Sequence, residues 1–158
     1  MAWAELPQAE PSRTLASLRS LLEAERASGI HQPGGILADP SAAIALVWLR
    51  RSLSFQNSIF EAFIADRGAS VSNLARDAYK NHLERFHNFW LKSTFRAGLS
   101  AMPARADFLV RLAPNVPEDE RERVVYEEMA ELVEVQNRIS AACSALFIEL
   151  DLEDSRRA

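Results

Sequence analysis

Apolar residues recur along the chain at intervals of three and four, which is the spacing of amphipathic helices rather than the alternation of a strand. The first such segment covers residues 14–27 and places three leucines on one stripe, Leu15, Leu18 and Leu22. Ser12 is a suitable N-cap for this helix. Residues 1–11 contain two prolines and no periodic pattern, so we predict that they form a flexible lead-in.

A second helix is predicted from Pro40 to about Ala65, after a loop at 29–39 that contains proline and glycine. Asp39 can cap this helix, and Pro40 can occupy its first position, where the missing N–H of proline costs nothing. Apolar side chains cover more than half of its circumference. We therefore expect this helix to be packed on two sides inside the domain.

A third, long helix is predicted from about Ser72 to Met102, because Pro103 disfavours helical geometry in the residue before it. At 1.5 Å per residue such a helix would be roughly 45 Å long. Its predicted inner stripe consists of Tyr79, Leu83, Phe86, Trp90, Ala97 and Ala101.

Two more helices are expected, a short one around residues 104–112 and a long one from about Glu118 to Leu150. The long helix carries apolar residues at alternating spacings of four and three, the pattern of a helix-bundle seam, and only a glutamine interrupts it. This predicted seam is Val125, Met129, Leu132, Gln136, Ile139, Cys143, Leu146 and Leu150. The expected fold class is all-α, a helical bundle or two-layer helical stack.

The composition is that of a globular protein, with 158 residues of which 48% are hydrophobic and 25% charged. We predict one domain over residues 12–152, followed by a tail at 153–158. The net charge of −4 argues against a nucleic-acid partner. A single cysteine, Cys143, excludes an intramolecular disulfide, and the chain contains neither a secretory signal pattern nor a bilayer-length apolar run. These features predict a cytoplasmic protein.

Motifs of enzymes are absent from the sequence. It contains no glycine-rich phosphate loop, no G-x-S-x-G nucleophile elbow and no H-E-x-x-H zinc motif. Glu84 and His87 form one E-x-x-H unit, but a di-iron bundle needs two such units and two further glutamates. The sequence therefore predicts neither an enzyme nor a metal site, and no cofactor.

Three segments together resemble the glycolipid transfer protein family. They are the W-L-R-R helix around Trp48, the stretch A-Y-K-N-H-L-E-R-F-H ending at His87, and the turn P-A-R-A-D-F-L that begins at Pro103. Their order and spacing match the family pattern, and the resemblance runs from about Ser12 to Leu112. It implies an all-α, two-layer helical bundle that carries sphingolipids between membranes without acting on them chemically.

The resemblance also implies roles for single residues at the polar end of the lipid. A tryptophan at the position of Trp48 holds the first sugar of a glycosphingolipid, and members that carry ceramide-1-phosphate have an arginine there. Arg51, three residues later, is a candidate for the same headgroup, although a solvated arginine is nearly as plausible. The position of His87 binds the ceramide amide region. Without the motif, a packed core position is an equal alternative for Trp48 and the favoured one for His87.

Further positions match the apolar part of the family's site. Around the acyl-chain pocket these are Phe55, Phe95, Leu99 and Phe108, for which the alternative is an ordinary core. Phe89 matches an aromatic residue at the membrane-contact surface, and Trp90 beside it is a second candidate, with burial on the inner stripe as its alternative. The predicted partners are thus a sphingolipid and, transiently, a membrane surface.

One departure from the family pattern stands out. Family members place two helices before the region that starts at Ser12, and one of them supplies D-x-x-x-N-x-x-K to the headgroup. No segment upstream of Trp48 has this pattern, and Asp77 and Asn81 have the spacing only on the later helix. We therefore predict an N-terminally shortened domain, either a truncated form of a longer carrier or a divergent member with a different headgroup preference. The apolar surface that those helices would cover favours self-association or instability. A ceramide-1-phosphate carrier and a transfer-inactive helical interaction module remain alternatives.

Overall fold

The computed structural model describes residues 11–32 and 36–154. Residues 1–10 of the predicted lead-in (1–11) and the last four residues of the predicted tail (153–158) therefore lie outside the described residues. The described part contains six α-helices and one short 3-10 helix, Glu84–Phe86. The α-helices are α1 (Pro11–Ala27), α2 (Ala42–Ala65), α3 (Val71–His82), α4 (Phe89–Ser100), α5 (Arg105–Leu112) and α6 (Glu118–Glu149). In the described ranges β structure is limited to one isolated bridge, between Gln32 and Ile36. The all-α prediction is confirmed.

The start of α1 differs from the prediction. The helix begins at Pro11, so Ser12 lies within its first turn and is not its N-cap. After the last residue, Ala27, Gly29 adopts a φ of 71° and donates its N–H to the carbonyl of Arg26 at 3.2 Å. Glycine takes this left-handed conformation without strain and ends the helix.

The start of α2 also differs, because the helix begins at Ala42 rather than at Pro40. The hydroxyl of Ser41, and not the carboxylate of Asp39, accepts the N–H of Ile44 at 3.1 Å. The carboxylate of Glu25 in α1 accepts the N–H groups of Ala42 and Ala43 at 2.6 and 2.9 Å. A negative charge at a helix N-terminus is favourable, so a residue distant in sequence completes this cap.

The single long helix predicted from Ser72 to Met102 is wrong. The chain leaves α3 at His82, passes through the 3-10 helix and starts α4 at Phe89. Ser72 at the start of α3 donates its hydroxyl to the carbonyl of Leu99 near the end of α4, at 2.8 Å. In one continuous helix these two residues would be about 40 Å apart, so α3 and α4 are folded back on each other. The predicted stripe therefore ends at the break, and Trp90, Ala97 and Ala101 are exposed.

The helices form two compact units, which are described separately. The first comprises residues up to Val47 together with Ala142–Asp154. Its core is made of eight buried apolar residues: Leu22, Leu37, Ala43, Val47, Leu146, Phe147, Leu150 and Leu152. The buried carboxylate of Asp154 accepts the backbone N–H of Leu37 at 3.1 Å, which fixes the loop before α2 to the segment that follows α6.

The second unit comprises Trp48–Ala141 and contains two apolar clusters. The first cluster, which we call the α3–α4 cluster, is formed by Phe55, Ile59, Phe60, Ala75, Ala78, Tyr79, Leu83, Phe95 and Leu99. The second, the α5–α6 cluster, is centred on Phe63, Val71, Val125, Tyr126 and Met129. Helix α2 supplies residues to both, as expected from its broad apolar surface.

The seam predicted on α6 is partly wrong. Val125, Met129, Gln136, Cys143, Leu146 and Leu150 are buried, but Leu132 and Ile139 are exposed, and Val133 and Phe147 are buried instead. A regular alternation of fours and threes assumes 3.5 residues per turn, whereas a straight helix has 3.6 and drifts away from such a seam. The buried residues Val125, Met129 and Val133 are spaced four apart, as this drift requires.

Candidate functional site

Three aromatic rings of the second unit surround the imidazole of His87. The imidazole stacks on the indole of Trp48, with ring centroids 5.9 Å apart and 29° between the planes. It also lies 5.5 Å from the ring of Tyr79 and 4.8 Å from that of Phe95. Tyr79 and Phe95 in turn stack on each other at 5.1 Å. The two residues assigned by resemblance to the polar end of a lipid, Trp48 and His87, are thus in direct contact.

The break between α3 and α4 positions His87. The residue itself is extended, with φ −95° and ψ 139°, and it links the 3-10 helix to α4. Asn88 then caps α4, and its side-chain oxygen accepts the N–H of Leu91 at 3.0 Å. Asparagine is among the preferred N-cap residues because it satisfies an otherwise unpaired N–H. The side chain of His87 is held on the inner side of this turn and is 6% exposed.

A hydrogen bond orients the His87 ring. Its Nδ1 lies 3.1 Å from the hydroxyl of the buried Tyr79. Burial, and second the charge of Glu84, raise the pKa of Tyr79, so the phenol stays protonated. Burial, with a smaller contribution from the charge of Lys92, lowers the pKa of His87, so the imidazole is neutral at pH 7.

These protonation states determine whether Nε2 of His87 donates or accepts a hydrogen bond. Among the described residues, His87 Nδ1 is the one hydrogen-bond partner of the Tyr79 hydroxyl, so the buried O–H is satisfied when it donates to that nitrogen. A neutral imidazole that accepts at Nδ1 carries its proton on Nε2. The His87 ring therefore presents an Nε2–H donor, which suits a carbonyl oxygen such as that of an amide.

Arginines flank the tryptophan side of the site. The guanidinium carbon of Arg51 is 4.9 Å from the Trp48 ring centroid and 3.5 Å from that of Phe86. Arg85 also lies over Phe86, at 4.5 Å. The ring of Phe86 meets that of Trp48 edge-on at 6.3 Å. The guanidinium group of Arg51 thus lies against the half-buried indole, and that of Arg85 lies over the neighbouring ring of Phe86. A polar group of a ligand at the indole would have a charged donor within reach.

The residues predicted to line an acyl-chain pocket fall into two groups. Phe55, Phe95 and Leu99 belong together in the α3–α4 cluster. Phe108 packs instead on the α5–α6 cluster, with its ring 5.4 Å from that of Phe63. Phe55 and Phe95 are only half-buried, whereas Leu99 is buried. The first three residues thus belong to one apolar cluster, which contacts His87 through Phe95, and Phe108 belongs to a neighbouring cluster.

The two aromatic residues predicted for membrane contact are exposed. Phe89 is 76% and Trp90 78% accessible, at the first turn of α4. Their rings lie 5.8 Å apart, edge to face. The alternative for Trp90, burial on an inner stripe, is excluded by this exposure.

Several residues of the site were not found from the sequence. The sequence predicts only a packing role for Tyr79 and Phe86, on the inner stripe of one long helix, and no role for Arg85. The signal that would have revealed their arrangement is Asn88, a good N-cap residue that marks a helix start just after His87. Glu84, half of the E-x-x-H unit, forms an ion pair with Arg96. Within the described residues, no group of three histidine, cysteine, aspartate or glutamate side chains is arranged to hold a metal ion.

Comparison with known proteins decides the family. The family profile described as "Glycolipid transfer protein (GLTP)" matches residues 4–114, which is more than half of the chain. The chain belongs to the glycolipid transfer protein family. A glycolipid transfer protein of Aureobasidium melanogenum is 33% identical over 106 residues, covering 66% of this chain and 53% of that protein. The glycolipid transfer protein of Danio rerio is 30% identical over 102 residues, covering 61% of this chain and 47% of its own. The chain thus spans about half the length of these curated relatives.

Solved structures agree on the GLTP fold. The structure described as showing how FAPP2 selects simple glycosphingolipids using the GLTP fold has a TM-score of 0.72 and 19% identity, over 89% of this chain and 65% of that chain. Human ceramide-1-phosphate transfer protein in complex with 12:0 ceramide-1-phosphate also has a TM-score of 0.72 and 19% identity, over 87% and 64%. This GLTP-family chain has, in its described part, no helix that combines the length and apolarity needed to cross a bilayer.

Proposed function

We propose that this protein binds a sphingolipid and carries it between membranes without chemical change to the lipid. The observation that carries the proposal is the stacked pair of Trp48 and His87, with the Nδ1 of His87 held by the Tyr79 hydroxyl. An indole offers a flat apolar surface for the C–H face of a sugar, and the Nε2–H of His87 donates to the acyl carbonyl of a ceramide. The described fold and the family membership support this assignment.

The cargo headgroup is proposed to be a sugar, because Trp48 stands where the family pattern has its sugar-binding tryptophan. Arg51 lies against the same indole and would donate to the sugar hydroxyls. The second candidate is a phosphate, as in ceramide-1-phosphate. It is favoured by the guanidinium groups of Arg51 and Arg85, which both lie over the ring of Phe86. Guanidinium groups bind phosphate through paired, charge-assisted hydrogen bonds.

The lipid chains are proposed to enter the apolar surface formed by Phe55, Phe95 and Leu99, and to extend toward Phe108. Exposure of a chain of about sixteen carbons to water costs roughly 12 kcal/mol, at about 0.8 kcal/mol per CH₂. Shielding the chains removes most of this cost and makes transfer between bilayers possible. The half-buried rings of Phe55 and Phe95 are the ones that a chain would displace.

Membrane contact is proposed to occur through Phe89 and Trp90 at the start of α4. Aromatic side chains favour the interface between water and lipid, and these two are adjacent and about three-quarters exposed. The contact would be transient, with the protein otherwise in the cytoplasm.

A direct binding measurement tests the carrier proposal. The protein is incubated with phosphatidylcholine vesicles that contain 1 part in about 100 of labelled glucosylceramide or labelled ceramide-1-phosphate, and is then separated from the vesicles by size exclusion. We expect close to one labelled glucosylceramide per protein and less ceramide-1-phosphate. The reverse ratio would favour the phosphate headgroup. No label with the protein in either case would contradict the proposed function.

A transfer-inactive interaction module, which self-associates, is the second candidate function. It is favoured by three exposed apolar residues at helical spacing on α6, Leu132, Val135 and Ile139. Exposed apolar stripes of this kind are typical of protein contacts. Sedimentation of the wild-type chain and of Val135→Glu tests this candidate. A dimer that the substitution dissociates would favour it, and a monomer at all concentrations would contradict it.

A further inference from the structure

The two apolar clusters of the second unit meet at Phe60. In the described part of the chain, Phe60 is the one partly buried apolar residue that packs against both the α3–α4 cluster and the α5–α6 cluster. It lies on α2 between Ile59, which belongs to the first cluster, and Phe63, which belongs to the second. Phe60 thus marks the boundary between the two clusters.

The clusters on the two sides of Phe60 differ in how completely they are closed. On the α3–α4 side the aromatic residues, Phe55 and Phe95, are only half-buried, as is Phe60 itself. On the other side, the centre of the α5–α6 cluster is closed, with Phe63 0% and Val71 1% exposed. A lipid chain that enters by displacing Phe55 and Phe95 therefore reaches a closed core at Phe60.

The position of Phe60 along α2 corresponds to the length of a membrane lipid chain. Phe55 and Ile59 follow Trp48 by seven and eleven residues, which are close to two and three turns, so they share its face of the helix. Phe60 comes next, about 18 Å from Trp48 along the helix axis at 1.5 Å per residue. The hydrocarbon core of a bilayer is about 30 Å thick, so one lipid chain spans roughly 15 Å of it. A chain of ordinary length whose polar end lies at Trp48 and His87 therefore ends close to Phe60.

We propose that Phe60 determines the longest acyl chain that the protein binds. The chain runs along Phe55 and Ile59 and stops at the ring of Phe60. A longer chain has to turn this ring away and enter the α5–α6 cluster, where Phe63 is fully buried, and the overpacking of a filled core is unfavourable. Long chains are thus excluded by lack of space and not by weaker contacts at their polar end. Because the limit concerns the cargo of the same site, it rests on the proposed function.

A competition between acyl chains tests this limit. The full chain is incubated with phosphatidylcholine vesicles that contain equal amounts of a sphingolipid with acyl chains of twelve, sixteen and twenty-four carbons. The headgroup is the one that the wild-type chain binds in the vesicle assay above, and the protein-bound lipids are quantified by mass spectrometry. We expect the twelve- and sixteen-carbon lipids in amounts within twofold of each other, and at least fivefold less of the twenty-four-carbon lipid. Equal amounts of all three would overturn the proposed limit.

Substitutions of Phe60 should move the limit in both directions. Phe60→Ala should bind the twenty-four-carbon lipid as well as the sixteen-carbon one, and Phe60→Leu should shift the ratio the same way by less. Phe60→Trp enlarges the ring and should bind at least threefold less of the sixteen-carbon lipid than of the twelve-carbon one. The matched control is Ile64→Ala, one turn later on α2, which removes apolar volume from a residue packed on the α5–α6 cluster and should keep the wild-type limit. A limit that moves equally in this control would reduce the effect to a loosened core and overturn the proposal.

Failure of the chain-length limit and failure of the proposed function give different results. If the wild type binds the sixteen-carbon lipid but neither Phe60→Leu nor Phe60→Trp changes the ratio of chain lengths, the role of Phe60 is rejected and the carrier proposal stands. These two variants keep a large apolar side chain, so they carry the test even if Phe60→Ala does not fold. If the wild type binds no lipid of any chain length, the proposed function is contradicted and the limit with it.

Discussion

The hydroxyl of Tyr79 lies 3.1 Å from the Nδ1 of His87, and both side chains are buried. This bond fixes which nitrogen of the imidazole carries the proton. Nε2 is then the donor proposed for the ceramide carbonyl. The position of a proton, and not only the position of a ring, is therefore set by a residue on the preceding helix.

Removal of the Tyr79 hydroxyl should weaken the proposed hydrogen bond from His87 to the ceramide carbonyl. In Tyr79→Phe the stacking on Phe95 is kept, but Nδ1 loses its donor and both neutral tautomers become populated. We expect sphingolipid transfer to slow roughly fivefold, in line with a hydrogen bond worth about 1 kcal/mol. Nitrogen NMR of the His87 ring should show the mixture of tautomers directly.

The double variant Tyr79→Phe/His87→Leu serves as the control for that prediction. If Tyr79 acts through His87, the double variant should transfer lipid at the same rate as His87→Leu alone. Additive losses would mean that the hydroxyl has a separate role, and an unchanged tautomer in Tyr79→Phe would contradict the proposed orientation.

The stability of the protein should depend on pH through His87. Burial lowers the pKa of His87 in the folded state, so the unfolded chain takes up a proton more readily as the pH falls. The wild-type free energy of unfolding should therefore decrease from about pH 6.5, the ordinary histidine value, and level off below the lowered pKa of His87. Stabilisation by His87 is thus present at pH 7 and is lost in acid.

The comparison with His87→Gln isolates this effect from the titration of carboxylates. Urea unfolding of both proteins is measured between pH 7.5 and pH 5. The free energy of unfolding of the wild type minus that of the variant should decrease as the pH falls. A difference that is constant over this range, or that shifts in favour of the wild type, would contradict the burial of a neutral imidazole.

The exposed aromatic pair at the start of α4 should control membrane binding. Phe89→Ser or Trp90→Ser removes an apolar ring whose insertion is worth about 1.5–3 kcal/mol, so affinity for phosphatidylcholine vesicles should fall at least tenfold. Ile148→Ser provides the matched control, because Ile148 is 72% exposed in the other unit of the chain. Equal losses in all three variants would show that the effect is not specific to this surface.

Asn88 should contribute to stability as the cap of α4. In Asn88→Ala the N–H of Leu91 loses its acceptor, and the free energy of unfolding should fall by about 1 kcal/mol. Asn88→Asp keeps an acceptor and should retain most of the stability. Asn115→Ala, at an exposed site in the loop before α6, is the neutral comparison. An Asn88→Ala variant as stable as wild type would show that the turn is held by other contacts.

The sequence was sufficient for the fold class and for most helix boundaries. Periodic apolar residues predicted α5 and α6 to within a residue or two, because these helices are defined by local patterns and by prolines at their ends. The motif around His87 also brought out the two residues, Trp48 and His87, that the structure places in contact. Both successes depend on information that is local in the sequence.

The failures have a common physical cause, since they concern contacts between residues distant in sequence. Glu25 caps α2 from another helix, and no pattern near Asp39 and Pro40 indicates this. The fold-back of α3 on α4 is stabilised by packing and by the Ser72–Leu99 bond, while the propensities of residues 82–89 allow a continuous helix. Which face of α6 is buried likewise depends on its neighbours and not on its own heptads.

We propose that Trp48 and His87 hold the polar end of a sphingolipid. Transfer of labelled glucosylceramide between vesicles tests this proposal most directly. We expect measurable transfer by the wild-type chain and at least a tenfold slower rate for both Trp48→Ala and His87→Leu, with helical circular dichroism unchanged. Leu49→Ala, an exposed neighbour on the same helix, should transfer at the wild-type rate. Wild-type rates in Trp48→Ala and His87→Leu, or no transfer by the wild-type chain at all, would contradict the account.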